Sequence, residues 1–155
     1  MASTLTAATL KVRISESCTL NNKDHGAIHT KTISNINMIT KRQFNIAATS
    51  TITVAELAAD PSGTMKYDSD LVKYIRITNL DDTTGLLVTY EDTSTSNACI
   101  EIPAGDSHIL FSTSIAGDAT GSAAITAVNA MNKIYIRNNA GSSTDCEIFV
   151  AQSAS

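Results

Sequence analysis

Leu10, Val12 and Ile14 alternate with Lys11 and Arg13, and a period of two marks an extended chain with one face turned to a core. The same alternation, or a short apolar run bounded by turn residues, returns at residues 28–33, 43–47, 51–54, 72–78, 86–90, 98–102, 107–112, 133–137 and 146–151. That makes about ten short strands. Between them lie Asn21-Asn22-Lys23-Asp24-His25-Gly26, Asp60-Pro61-Ser62-Gly63, Asp81-Asp82-Thr83-Thr84-Gly85, Pro103-Ala104-Gly105-Asp106 and Asn138-Asn139-Ala140-Gly141, where Gly and Asn supply the positive φ that tight reversals need. Half-apolar strands at this spacing must bury their faces against one another. The expected fold is therefore all-β, a single-domain, jelly-roll-like β-sandwich. Helix has little room, one or two short pieces at most: residues 54–59 could make a turn or two, and residues 123–131 read equally as a short helix or a buried strand.

A chain of 155 residues is long enough to bury roughly two-thirds of its unfolded surface around one core without metals or disulfides. Residues 10–155 are read as that domain and residues 1–9 as an extended N-terminal arm. Charged residues make up 17% of the chain, the formal net charge is -4, and Ser and Thr together supply about a quarter of it. The surface is thus polar but weakly charged. With no basic run longer than Lys41-Arg42, nothing would gather phosphates, and nucleic acid is not an expected partner. No apolar stretch approaches the length of a membrane span, and Met1-Ala2-Ser3-Thr4 lacks the basic and apolar regions of a signal peptide, so synthesis in a reducing cytoplasm is expected. Cys18, Cys99 and Cys146 are odd in number and far apart; they read as small buried hydrophobes, with one disulfide left open.

Chemistry-bearing residues form no recognisable set. His25 and His29 fall in and beside a turn and His108 is remote, so they do not make a zinc site. Asp60, Asp68, Asp70, Asp81 and Asp82 lack the alternating loop and closing Glu of a calcium site and read as turn formers. There is no nucleophile elbow, no cysteine-protease signature and no phosphate-cradling glycine loop. Glu16, Glu56, Glu91, Glu101 and Glu147 mostly occupy the polar phase or ends of strands, where exposure is the default. With aromatics at 5% and no Trp, a sugar-stacking platform rests on four Tyr alone. No catalytic, cofactor-binding or metal-binding residue is assigned, and the chain is not expected to be an enzyme.

Two segments echo each other, Val72-Lys73-Tyr74-Ile75-Arg76-Ile77-Thr78-Asn79 and Asn132-Lys133-Ile134-Tyr135-Ile136-Arg137-Asn138-Asn139. Equivalent strands of two packed sheets would produce this, as would convergence on a good strand sequence. Convergence is favoured because the spacing is not repeated a third time. The arm carries no charge yet is β-prone. It is either a frayed terminus or a strand that adds to the edge of a neighbouring subunit, in which case Thr4, Leu5, Thr6 and Leu10 are the interaction residues.

Residues 72–82 (VKYIRITNLDD), 98–111 (ACIEIPAGDSHILF) and 145–151 (DCEIFVA), in this order and spacing, resemble small virion structural proteins of tailed bacteriophages, especially those of marine phages and cyanophages. The opening residues 5–20 and the turn at 22–26 fit the same pattern, so the resemblance spans most of the chain. It implies a head decoration or cement protein that stabilises the capsid shell, without catalytic residues or cofactor. The implied partners are the major capsid protein or other virion subunits. The implied state is a homo-oligomer, as in trimers at local symmetry axes, present in many copies on the capsid surface after synthesis in the host cytoplasm. The alternatives are a tail, collar or fibre component, or a carbohydrate-binding β-sandwich module.

Overall fold

The computed structural model describes residues 6–59, 62–94, 97–115 and 129–154. They form thirteen strands and, among the described residues, no helix: β1 (Ala8–Ser15), β2 (Thr19–Leu20), β3 (Lys23–Asp24), β4 (Ile28–Ile46), β5 (Thr51–Ala58), β6 (Lys66–Asp68), β7 (Val72–Asn79), β8 (Leu86–Asp92), β9 (Asn97–Ile102), β10 (Ser107–Leu110), β11 (Ser114–Ile115), β12 (Asn129–Asn138) and β13 (Thr144–Ser153). One sheet has the order β1-β4-β13-β7-β10 and the other β6-β5-β12-β8-β9, with β11 added beside β12 and β2-β3 as a separate hairpin. The sheets bury one face of each against the other, the β-sandwich that the alternation requires. The core is built from Ile46, Val54, Ile75, Ile77, Leu86, Val88, Ile134, Ile136, Ile148 and Val150, with Tyr67 and Tyr90 closing it. Strand β13 is buried on both faces, because a smaller apolar cluster covers its far side. There Ile36, Tyr74 and Ala151 meet Leu10, Val12, Ile33, Ile109 and Phe149.

Several expectations need correction. Residues 28–33 and 43–47 belong to one strand of 19 residues, β4. No Gly or Pro interrupts it, and it changes partner instead of ending: β1 pairs with its first half and β13 with its second, the two registers meeting at Ile36. Asn35 takes a positive φ of 62 at this handover. Residues 54–58 are strand rather than helix. The register of β5 on β12 jumps from Thr53 to Ala55, a bulge that lets Val54 and Ala55 both be buried and breaks the period of two. Of the segment read equally as a short helix or a buried strand, residues 123–128 lie outside the described residues, and Asn129 to Met131 open β12. The cysteines also differ: Cys146 is buried, but Cys18 and Cys99 are exposed and all three are free.

The echo between residues 72–79 and 132–139 is structural, contrary to the reading as convergence. Strand β7 lies between β13 and β10, and β12 lies between β8 and β5. Exchanging β4, β5, β12 and β13 for β9, β10, β7 and β8 maps the strand order of one sheet onto the other. Each unit ends on a buried asparagine doing the same work. Asn79 Nδ2 donates to the carbonyls of Thr84 (2.7 Å), Ile102 (3.1 Å) and Pro103 (3.1 Å), and its Oδ1 accepts from the Asp81 amide. Asn138 Nδ2 donates to Ser142 (2.7 Å), Ile46 (3.1 Å) and Ala47 (3.3 Å), and its Oδ1 accepts from the Ala140 amide. Both asparagines plug an arch that crosses from one sheet to the other, and each arch contains one left-handed residue, Gly105 (φ 75) or Thr49 (φ 55). Carbonyls pulled out of a ladder at such a crossing must find donors, and one primary amide supplies two N–H groups aimed at three of them.

Candidate interaction site

The first half of β4 leaves the sandwich with β1 as a two-stranded ribbon. Every residue from Arg13 to Thr32 is exposed, and the register runs unbroken from Leu10↔Ile33 to Ser15↔Ile28. Beyond it, the Glu16 amide donates to Ala27 O (2.8 Å) and the His25 amide to Cys18 O (2.8 Å). Asn21 and Asn22 both have positive φ, 52 and 60, as the tight hairpin joining β2 to β3 demands. Gly26 is required by space: a Cβ there would lie 2.5 Å from Glu16 O. The ribbon therefore has a defined shape, yet Ile14, Leu20 and Ile28 are 42%, 60% and 61% exposed. An isolated two-stranded hairpin is marginal in water, and large apolar side chains held out on one gain burial only from another surface.

At the root of the ribbon lies a groove of about 430 Å³ lined by Leu10, Lys11, Val12 and Arg13 of β1, Tyr74 and Arg76 of β7, Ser107 and Ile109 of β10, and Phe149 of β13. Its floor is aromatic: Tyr74 meets Phe149 edge-on at 5.8 Å and 77°, and beside the groove packs against Phe111 in a tilted arrangement at 5.5 Å and 56°. Tyr74 is only 5% exposed, and that burial raises its phenol pKa against the opposing pull of Arg76. Arg76 lies over Phe149, 5.7 Å from the ring centre, and binds Glu147 at 2.5 Å, while Lys41 reaches the other carboxylate oxygen at 3.0 Å.

Glu147, expected to be exposed, is 6% exposed. Burial alone would push its carboxyl up, but the hydrogen bonds and charges of Lys41 and Arg76 outweigh this and hold it below the usual range. Two cations against one anion explain how a carboxylate tolerates the covered face of β13.

Other polar groups serve the backbone. Asp81 Oδ1 accepts from the amides of Thr83 (2.9 Å) and Thr84 (2.8 Å), and these bonds lower its pKa. Asp24 and Asp68 accept from Gly26 and Asp70 in the same way. Among the described residues no group of three or more His, Cys, Asp or Glu is placed to hold a metal. His108 faces Tyr90 across 5.8 Å, with burial lowering its pKa.

Of the interaction residues read from the sequence, Leu10 is in β1, half-buried and lining the groove. Thr6 stands exposed just before that strand, which begins at Ala8, and Thr4 and Leu5 lie outside the described residues. Sequence reasoning missed the ribbon tip and the groove. The exposed alternation Ile28, Thr30, Thr32 was legible as a strand, but not as one that leaves the core.

No family model matches this chain, and no curated protein does. Among solved structures it is similar to PirA, with 12% identity and a TM-score of 0.43 over 71% of this chain and 92% of that one. It is also similar to a structure described as Bacillus endospore appendages that form disulfide-linked pili, with 10% identity and a TM-score of 0.39 over 76% and 89% of the two chains. Both likenesses are too loose to bear on function. The class that stands is a β-rich sandwich carrying a projecting ribbon and a strand-lined groove.

Proposed function

We propose that this chain is a non-enzymatic virion structural protein of a tailed bacteriophage, a capsid decoration or cement protein that acts in many copies on the head surface. The resemblance at residues 72–82, 98–111 and 145–151 supports the virion setting. The observation that carries a contact role is the ribbon, a hydrogen-bonded arm that holds Ile14, Leu20 and Ile28 away from the core. A cement protein bridges subunits through apolar anchors spread over a wide area, and such a ribbon extends reach without adding a second domain.

The test is co-sedimentation of the purified chain with empty phage shells, beside a Leu20→Asp, Ile28→Asp variant whose sandwich is intact by circular dichroism. The proposal expects saturable, many-copy binding by the native chain and its loss in the variant. Equal binding by both would remove the ribbon from the contact. No binding by either would overturn the capsid assignment in favour of a tail, collar or fibre component.

A further inference from the structure

Four consecutive residues of β1, Leu10, Lys11, Val12 and Arg13, line the groove. Successive side chains of a strand point to opposite faces, so a run of four borders one hollow along the strand's edge and not merely from its face. That edge is free, since β1 ends its sheet and pairs only with β4. Across the hollow stand Ser107 and Ile109 of β10, the strand that ends the same sheet on the other side. All pairings in this five-stranded sheet are antiparallel, so β1 and β10 run in the same direction. A strand laid antiparallel to β1 is then antiparallel to β10 as well, and would run between the free edge of β1 and the face of β10 that carries Ser107 and Ile109.

We propose that the groove accepts residues 4–7 of a second copy of this chain as an added strand on β1, with Leu5 and Ala7 facing Tyr74, Ile109 and Phe149. This rests on the reading of the protein as an assembly component and names the contact by which copies join. Three observations select the occupant. Pairing of β1 with another β1 centred on Val12 would set Lys11 against Arg13, and like charges directly opposite are destabilising, so the partner strand carries no cation. Thr4-Leu5-Thr6-Ala7 is uncharged, matches the four lining residues in length, and alternates apolar with hydroxyl side chains. The same residues cannot fill their own groove: Ala8 already begins β1, and reversing beside it would consume at least two of the four in a turn at positions with neither Gly nor Asn. Donor and acceptor are different surfaces, so the contact closes as a two-fold dimer where two copies exchange arms and otherwise runs head-to-tail in a ring or a row.

The experiment is sedimentation of the full chain and of Leu5→Asp, with hydrogen exchange of the β1 amides and a synthetic peptide of residues 1–9 as probe. The native chain should sediment as a multiple of 16.3 kDa and Leu5→Asp as a monomer with unchanged circular dichroism. The peptide, added to Leu5→Asp, should slow exchange at residues 10–13. Association unaffected by Leu5→Asp would overturn the proposal, as would a peptide that leaves those amides unprotected. A monomeric native chain whose β1 protection disappears in Leu5→Asp would also overturn it, by assigning the groove to the chain's own arm. No phage shell enters this assay, so its failure leaves the co-sedimentation result standing. Conversely, self-association without shell binding strikes the capsid assignment alone.

Discussion

Replacing Asn138 by alanine removes four hydrogen bonds at once: three from Nδ2 to the carbonyls of Ile46, Ala47 and Ser142, and one from the Ala140 amide to Oδ1. The residue is fully buried, so water cannot simply take its place. At about 0.5–1.5 kcal/mol net per bond the loss is about 2–6 kcal/mol, and a value near 4 is expected because several of the groups left behind are covered. A domain of this size is stable by about 5–15 kcal/mol, so the variant should fold but with its urea midpoint lowered by about 2 M at a slope of about 2 kcal/mol/M and its Tm by about 10 °C. Asn79 makes the matching set of bonds in the other unit, so Asn79→Ala should cost the same within about 1 kcal/mol. Asn138→Asp is the sharper control. It keeps the acceptor but points a carboxylate at three carbonyls, and should cost more than alanine at neutral pH and recover as acid protonates it. Losses below about 1 kcal/mol in both alanine variants, or an Asp variant as stable as the native chain, would refute the plug.

The remaining predictions concern the ribbon, the thiols, the ion triad and the core. Gly26→Ala sets a methyl against Glu16 O and should speed proteolysis within residues 16–27 while leaving the Tm of the sandwich nearly unchanged; equal protease resistance counts against the close approach. Thiol titration of the native protein should find Cys18 and Cys99, which are exposed, and Cys146 only after denaturation, since burial and then the neighbouring Asp145 charge push its thiol up to about 12. Three fast thiols would contradict that burial. The Glu147 carboxyl is lower in the folded state than its ordinary value of 4.5, so its stabilisation is present above that value and is lost as pH falls through the folded one. Glu147→Gln should therefore differ most from the native chain at neutral pH and converge on it below pH 4.5; a difference independent of pH denies the triad its role. Ile136→Ala, at a site with no exposure, should cost about 2–5 kcal/mol by chemical denaturation.

The sandwich was legible because apolar alternation survives wherever one face is buried, as in Leu86, Val88 and Tyr90 of β8. It failed where burial was two-sided or local. In β5 the bulge at Val54 imitates a helical cluster, and Glu147 looks like a solvent residue because nothing near it in sequence announces Arg76, 71 positions away. Cys18 and Cys99 were misplaced for the complementary reason: a small, β-prone neighbourhood does not say which side of a strand meets water. The candidate site was less legible still. A ribbon that leaves the core has the same local signature as a strand within it, and a groove exists only once β1 and β10 are known to end the same sheet. The paired asparagines were visible as an echo, and counting its repeats was the wrong criterion, because a sandwich of two equivalent units supplies only two.

That equivalence also separates what folding needs from what it does not. Eight strands, β4, β5, β7, β8, β9, β10, β12 and β13, map onto one another in two sets; β1 lies beyond β4 and β6 beyond β5, while the described residues place no strand beyond their counterparts β9 and β10. Uncovered edges invite other chains, and proteins blunt them with charge or brevity. Strand β9 carries Glu101, β6 is three residues long with Lys66 and Asp68, and β1 carries Lys11 and Arg13. Strand β10, reading Ser107-His108-Ile109-Leu110, has no acidic or basic side chain beyond a histidine whose burial favours the neutral form. Its defence is brevity. Of the four outer strands, then, the one least guarded by charge faces the hollow that β1 borders. Lys11, Arg13 and Arg76 border that hollow and disfavour cationic strands, a selection that the uncharged residues 4–7 pass.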